Sequence, residues 1–140
     1  MISIDASVAI KTIVEEENSG KARAIVAAFD LIIIPAHAYA EISEVIYRKS
    51  IGGLIDVGQA RKALMRLPEV FTLAPLDTVM ADAFDIAMEI RHSVYDCLYV
   101  ATARRHGTKL VTADTRLLLK VAKTQYSSVV ISLESFNAFG

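Results

Sequence analysis

The run Leu31-Ile32-Ile33-Ile34, closed by Pro35, constrains the fold of this chain more than any other stretch. A strand built from consecutive branched aliphatic residues has no polar face, so both of its sides must be covered. Strands of that kind belong to parallel sheets with helices above and below.

The flanking sequence supplies the alternation such a sheet needs. Residues 1–5 alternate and read as a short strand ending at Asp5. Residues 6–17 read as a helix, with Val8, Ala9, Thr12 and Ile13 at helical spacing. Asn18-Ser19-Gly20 breaks it, and 21–29 form a second helix. Pro35 suits the first turn of the next helix, which runs to about residue 50 and stops at Gly52-Gly53. A helix over about 56–67 and a short strand over 70–73 follow. Asp77 then stands as N-cap of a helix reaching about Arg91. The helix containing Asp96 ends at Gly107, after which come a strand over 109–112, a helix over 114–123 and a strand over 128–132. A last helical turn is expected over 134–140. The pattern predicts a single domain over 1–140, a three-layer α/β/α sandwich around a mostly parallel sheet.

Composition narrows the function classes. Hydrophobic residues make up 54% of the chain, an excess assigned to the buried sheet plus a protein–protein surface. No apolar run approaches the roughly 20 residues that span a bilayer, so no membrane association is expected. The N-terminus carries no basic region before its first strand, and no signal peptide is expected. The lone Cys97 has no internal disulfide partner, and the expected location is the cytoplasm. A net charge of −1 gives no global attraction to a polyanion, so binding one requires a local patch or metal ions.

The stretch Ser93-Val94-Tyr95-Asp96-Cys97-Leu98-Tyr99-Val100-Ala101-Thr102-Ala103 is a helix with small or apolar residues on nearly every face, hence a buried one. Asp96 is its only charge, and a carboxylate there is costly unless something pairs with it. Capping competes with function as its explanation, since Ser93 and Asp96 fit the S-x-x-[DE] capping box.

Asp96 is not alone. Asp5 ends the first strand and Asp114 follows the strand over 109–112, so both emerge at the same edge of a parallel sheet. Glu41 lies six residues past Pro35, roughly 9 Å along its helix and still near that edge. Asp5 and Asp114 also suit helix N-caps, whereas Glu41 is too deep in its helix to cap it. Carboxylates gathered at one edge repel one another unless a cation joins them. Oxygen ligands without a Cys or His cluster select Mg²⁺ or Mn²⁺, ions that activate water and neutralise phosphate.

Four sequence blocks, in order and spanning nearly the whole chain, resemble the PIN domain and within it the VapC-type toxin ribonucleases. They are Ile4-Asp5-Ala6-Ser7, then Pro35-x5-Glu41-Ile42-x2-Val45-Ile46-Tyr47-Arg48, then Val94-Tyr95-Asp96-Cys97-Leu98-Tyr99-Val100-Ala101, and Leu110-Val111-Thr112-Ala113-Asp114. The resemblance implies a metal-dependent endoribonuclease, the toxin of a toxin–antitoxin pair. It also implies a homodimer held by a cognate antitoxin, an RNA substrate, and products ending in 5′-phosphate and 3′-hydroxyl. Asp5, Glu41, Asp96 and Asp114 would be the catalytic and metal-binding residues, holding one or two Mg²⁺ or Mn²⁺ ions. Ser7 and Thr112 match the hydroxyls that orient carboxylates or water. Glu44 departs from the pattern, standing where many relatives carry Asn. It either adds a fifth acid or pairs with Arg48 at i+4. Thr115 and Arg116 occupy the place of an optional extra acid.

Arg48, Lys49, Arg104 and Arg105 are the candidates for phosphate contacts. Other small α/β designs fit less well. A signalling receiver resembles a pair of acids after the first strand and a lysine at the end of the last, and a D-x-D phosphatase has Asp where this chain has Ser7. A PIN-like nuclease acting in RNA processing or on DNA, and a PIN-like scaffold that binds without cutting, are the remaining alternatives. Retention of all four acids argues against the scaffold.

Overall fold

The computed structural model describes residues 1–137. Its elements run β1 (Ile2–Ile4), α1 (Ala6–Lys11), α2 (Ser19–Ala28), β2 (Ile32–Pro35), α3 (His37–Ile51), α4 (Val57–Val70), β3 (Thr72–Ala74), α5 (Met80–Ile90), α6 (Val94–Arg105), β4 (Leu110–Thr112), α7 (Thr115–Val121) and β5 (Val130–Ser132). The strands form one sheet in the order β3-β2-β1-β4-β5, and every neighbouring pair is parallel. All four residues of β2 are buried, as its unbroken aliphatic run requires. Helix α6 lies across β2, β1 and β4 with α5 packed on it, while α1 to α4 pack among themselves as the opposite layer. The expected three-layer sandwich is therefore the observed fold.

Several boundaries differ from the sequence reading, each for a local reason. Pro35 is the last residue of β2, paired with Ala74, and does not open the helix that follows. Helix α1 stops at Lys11 and not near residue 17, because Glu15, Glu16 and Glu17 would crowd negative charge onto its C-terminus. Glu16 instead meets Lys49 at 3.0 Å and Lys11 at 3.8 Å.

Helix α4 continues through Pro68 to Val70, which moves β3 to Thr72–Ala74. A proline inside a helix strands the carbonyl four residues earlier. Here that carbonyl, Leu64, accepts a hydrogen bond of 3.1 Å from the Tyr39 hydroxyl, so the interruption leaves no polar group unpaired. Asp77 caps nothing. It sits in a 3-10 turn, Leu76–Thr78, and α5 begins at Met80. Part of the expected closing turn lies outside the described residues, and the described part is a turn at 133–135.

Two features of this topology position the site. The chain leaves β1 toward β2 on one side, and β4 lies on the other, so the β1/β4 boundary is where strand order reverses. In open α/β sheets, ligands bind in the crevice at the strands' carboxyl ends at such a point. Asp5 follows β1 and Asp114 follows β4, so the acids flank the crevice. Helix α6 brings Asp96 to it. Seven consecutive residues of α6, Cys97 to Ala103, are buried, which fixes the helix against the sheet.

Candidate metal centre

Each acid is held by its own set of partners. Asp5 is buried, and its Oδ1 accepts from the Ser7 hydroxyl and, at 3.2 Å, from the Val8 amide, which makes it the N-cap of α1. Its Oδ2 accepts from the Thr112 hydroxyl at the end of β4. The same two hydroxyls receive backbone amides, Ala113 on Ser7 at 3.0 Å and Asp114 on Thr112 at 2.9 Å. The β1–α1 and β4–α7 turns are thus tied together through Asp5. Burial pushes its carboxyl up to about 6 despite three hydrogen bonds that favour the charge, and nearby Asp114 adds to the rise.

Asp114 caps α7, its Oδ1 accepting from the amides of Arg116 at 2.9 Å and Leu117 at 3.4 Å. Capping and a role in the crevice are compatible here, because capping uses one oxygen and sets the direction of the other.

Asp96 makes no capping-box bond. Ser93 caps α6 by accepting from the Tyr95 amide at 3.1 Å, and Asp96 Oδ2 instead meets His92 Nε2 at 2.6 Å. Burial raises the Asp96 carboxyl above its ordinary range. His92 opposes this, and the charges of Asp114 and Glu41 reinforce it. Asp114 at the α7 cap and Glu41 on α3 are thus each within electrostatic reach of Asp96.

Glu41 lies on α3 one turn after His37. Its Oε1 accepts from the Tyr99 hydroxyl at 3.0 Å and lies 2.8 Å from His37 Nε2. His37 Nε2 also lies 3.0 Å from the Tyr95 carbonyl. Both neighbours are acceptors, so this nitrogen carries the proton. The ring packs against Tyr99 with centroids 4.9 Å apart. Burial first, then the charges of Glu41 and Asp5, hold the Tyr99 phenol well above its usual range, so it stays a hydrogen-bond donor. Glu41 Oε2 has no protein partner among the described residues.

The structure thus brings together Asp5, Glu41, Asp96, Asp114, Ser7 and Thr112, and it adds three residues that the sequence reading missed. His92 and His37 each stand four residues before an acid, a spacing that puts both on one helical face or turn. Tyr99 stands one turn after Asp96 on α6. Glu44 does not join the group: its side chain is exposed and pairs with Arg48 at 3.7 Å. Three of the four candidate phosphate-binding cations are engaged elsewhere, Arg48 by Glu44 as just described. Lys49 pairs with Glu16, and Arg104 stacks on the Tyr126 ring at 5.0 Å from its centroid.

The donor set fits a hard divalent cation, with carboxylate oxygens predominating and one imidazole alongside. One donor atom each from His92, Asp96 and Asp114 lies within 4.8 Å of the others, and all three side chains are half-buried. Burial first, and the neighbouring acid charges after it, raise the carboxyls of Asp5 and Asp96 above their ordinary range.

A family model described as the PIN domain matches residues 2–124. The chain belongs to the PIN domain family. Among its relatives, Ribonuclease VapC3 from Pyrobaculum aerophilum is 34% identical over 121 residues, covering 84% of this chain and 92% of the relative. The solved structure of PAE2754 from Pyrobaculum aerophilum shares this PIN fold with a TM-score of 0.67 and 22% identity, over 96% of this chain and 90% of that one. A toxin–antitoxin complex from Klebsiella pneumoniae contains the same fold, with a TM-score of 0.64 and 17% identity over 95% and 98% of the two chains. No helix among the described residues of this PIN protein is long and apolar enough to cross a membrane.

Proposed function

We propose that this PIN protein is a metal-dependent endoribonuclease, the toxin of a toxin–antitoxin pair, acting as one domain over residues 1–140. The observation that supports this reading is the cluster of His92, Asp96 and Asp114 beside Asp5 at the switch point of the sheet, with Glu41 within electrostatic reach of Asp96, in a family whose curated relatives include VapC ribonucleases. The four acids would hold one or two Mg²⁺ or Mn²⁺ ions. A bound ion of this kind would neutralise phosphate charge and lower the pKa of a coordinated water, easing its conversion to the nucleophile.

The chain's own residues do the positioning. Ser7 and Thr112 clamp the two oxygens of Asp5, so its carboxylate keeps one orientation. Tyr99 and His37 hold Glu41 Oε1 and leave Oε2 for the ion. The α7 cap fixes Asp114, and His92 fixes Asp96. Preset ligands of this kind need little rearrangement when substrate arrives, which is where much of an enzyme's electrostatic advantage lies. Hydrolysis would leave 5′-phosphate and 3′-hydroxyl ends.

A cognate antitoxin is the expected protein partner, supported by the PIN fold in the Klebsiella complex. Homodimerisation is supported by the exposed Tyr47, Ile51, Leu54, Val57 and Met65 on α3, α4 and the turn between them. The buried thiol of Cys97 suits a cytoplasmic location.

The test is cleavage of a mixed pool of structured RNAs with Mg²⁺, Mn²⁺ or EDTA, beside Asp96→Asn. Metal-dependent cutting that vanishes in the variant is the expected result. Cutting by the variant at the parent's rate would remove Asp96 from the site. Light scattering across micromolar concentrations tests the dimer, and a monomer throughout would overturn it.

A further inference from the structure

We propose that the open groove between α5 and α7 is the track for single-stranded RNA leading away from the carboxylates, with Phe84 as a base-stacking platform. This rests on the ribonuclease reading above and says where the strand lies. The groove is a cavity of about 760 Å³ whose inner wall includes Asp96 and Asp114.

Its two long sides differ in chemistry. On α7, Arg116 and Lys120 are exposed and four residues apart, so they form a basic stripe about 6 Å long. On α5, Phe84 and Met88 are also four residues apart and are 56% and 53% exposed, an apolar stripe facing the same space. Arg91 stands where α5 ends, turned by a left-handed backbone with φ of 55°. None of these three cations is paired with an acid among the described residues.

The stripes share a direction. Helix α7 starts at Asp114, so Arg116 is near the acids and Lys120 one turn farther out. Helix α5 ends next to the acids, so Met88 and then Phe84 recede from them. A strand with one phosphate at the carboxylates would therefore find cations along one side and an apolar, aromatic side for its bases. Apart from Asp96 and Asp114, the wall carries no acid. Unpaired cations on a chain with net charge −1 favour a polyanion over a protein helix. A basic wall facing an exposed aromatic is the arrangement that holds single-stranded nucleic acid without base-edge reading.

The experiment is binding of a fluorescent single-stranded RNA, followed by anisotropy across a salt series, in an Asp96→Asn background that leaves the RNA intact. Arg116→Gln and Lys120→Gln should each weaken binding and flatten the logarithmic salt dependence by about 0.7. Phe84→Ala should weaken binding on the order of tenfold with no change in salt slope, and Phe84→Tyr should restore it. In the otherwise native chain, the same variants should raise KM more than they lower kcat. If the parent cuts RNA and all three variants bind with its affinity and slope, the groove is not the track although the ribonuclease reading stands. If they leave RNA binding intact but dissociate a dimer in light scattering, the face is an interface between copies, which also overturns the proposal. A parent that neither binds nor cuts RNA overturns both readings.

Discussion

The Nε2 atom of His92 lies 2.6 Å from Oδ2 of Asp96, and Asp114 offers an oxygen to the same small space. An imidazole here departs from an all-oxygen donor set. Nitrogen donors shift preference from Mg²⁺ toward transition metals, of which Mn²⁺ is the hardest. His92→Gln should therefore weaken Mn²⁺ binding on the order of tenfold and Mg²⁺ binding less. Titration calorimetry with each ion measures the ratio. Nitrogen coupling in the Mn²⁺ electron paramagnetic resonance spectrum, lost in the variant, would mark direct ligation. No such coupling in the parent would leave His92 with the sole task of orienting Asp96.

Tyr99 joins the buried helix α6 to Glu41 on α3, and burial keeps its phenol protonated as a donor. Tyr99→Phe keeps the ring packing and removes only the hydroxyl. Metal affinity and kcat should each fall on the order of tenfold, while KM for RNA stays close to the parent's. Equal metal affinity in the two proteins would mean that His37 alone suffices to set Glu41.

The depth of this legibility varies with the range of the interaction. The aliphatic run at Ile32–Ile34 and the strand–helix alternation specify the sheet, because they depend on burial alone. Asp5 and Asp114 are readable for the same reason, since a residue that follows a parallel strand must lie at the sheet's carboxyl edge. Helix ends were less legible, because they turn on single contacts. Tyr39 reaching the Leu64 carbonyl is what lets α4 pass through Pro68, and nothing near Pro68 in the sequence announces it. Tyr99 escaped notice for a related reason. Its partner, Glu41, lies 58 residues away along the chain, and only the fold brings the two together. His37, by contrast, stands four residues before Glu41 on the same helix, a spacing that was open to reading. The basic wall at Arg116 and Lys120 was missed because these residues look like ordinary surface cations until α7 is placed beside α5.

Glu44 is a useful contrast to Glu41, three residues before it on α3. Its side chain is 62% exposed and reaches Arg48 at 3.7 Å, away from the acids. An exposed i,i+4 pair of this kind contributes about 0.5 kcal/mol or less. Glu44→Gln should leave metal affinity and cleavage unchanged and move the unfolding free energy by no more than that amount. A loss of metal binding would place Glu44 in the site after all.

Asp5 gives the chain a pH dependence whose sign is set by burial. Its carboxyl pKa rises from 3.8 to about 6 on folding, so between those values the native state holds the proton more tightly than the unfolded chain. The stability this confers is complete below 3.8 and is lost as pH rises through about 6. The displacement corresponds to about 3 kcal/mol. In EDTA, the parent's urea-unfolding free energy should therefore fall by roughly this amount from pH 4 to pH 7, relative to Asp5→Asn, in which this contribution is absent. Added Mn²⁺ favours the ionised carboxylate and should restore stability to the parent at pH 7, and much less to the variant. Parallel pH profiles for the two proteins in EDTA would show that Asp5 binds its proton equally in the native and unfolded states, its hydrogen bonds from Ser7, Thr112 and Val8 offsetting burial.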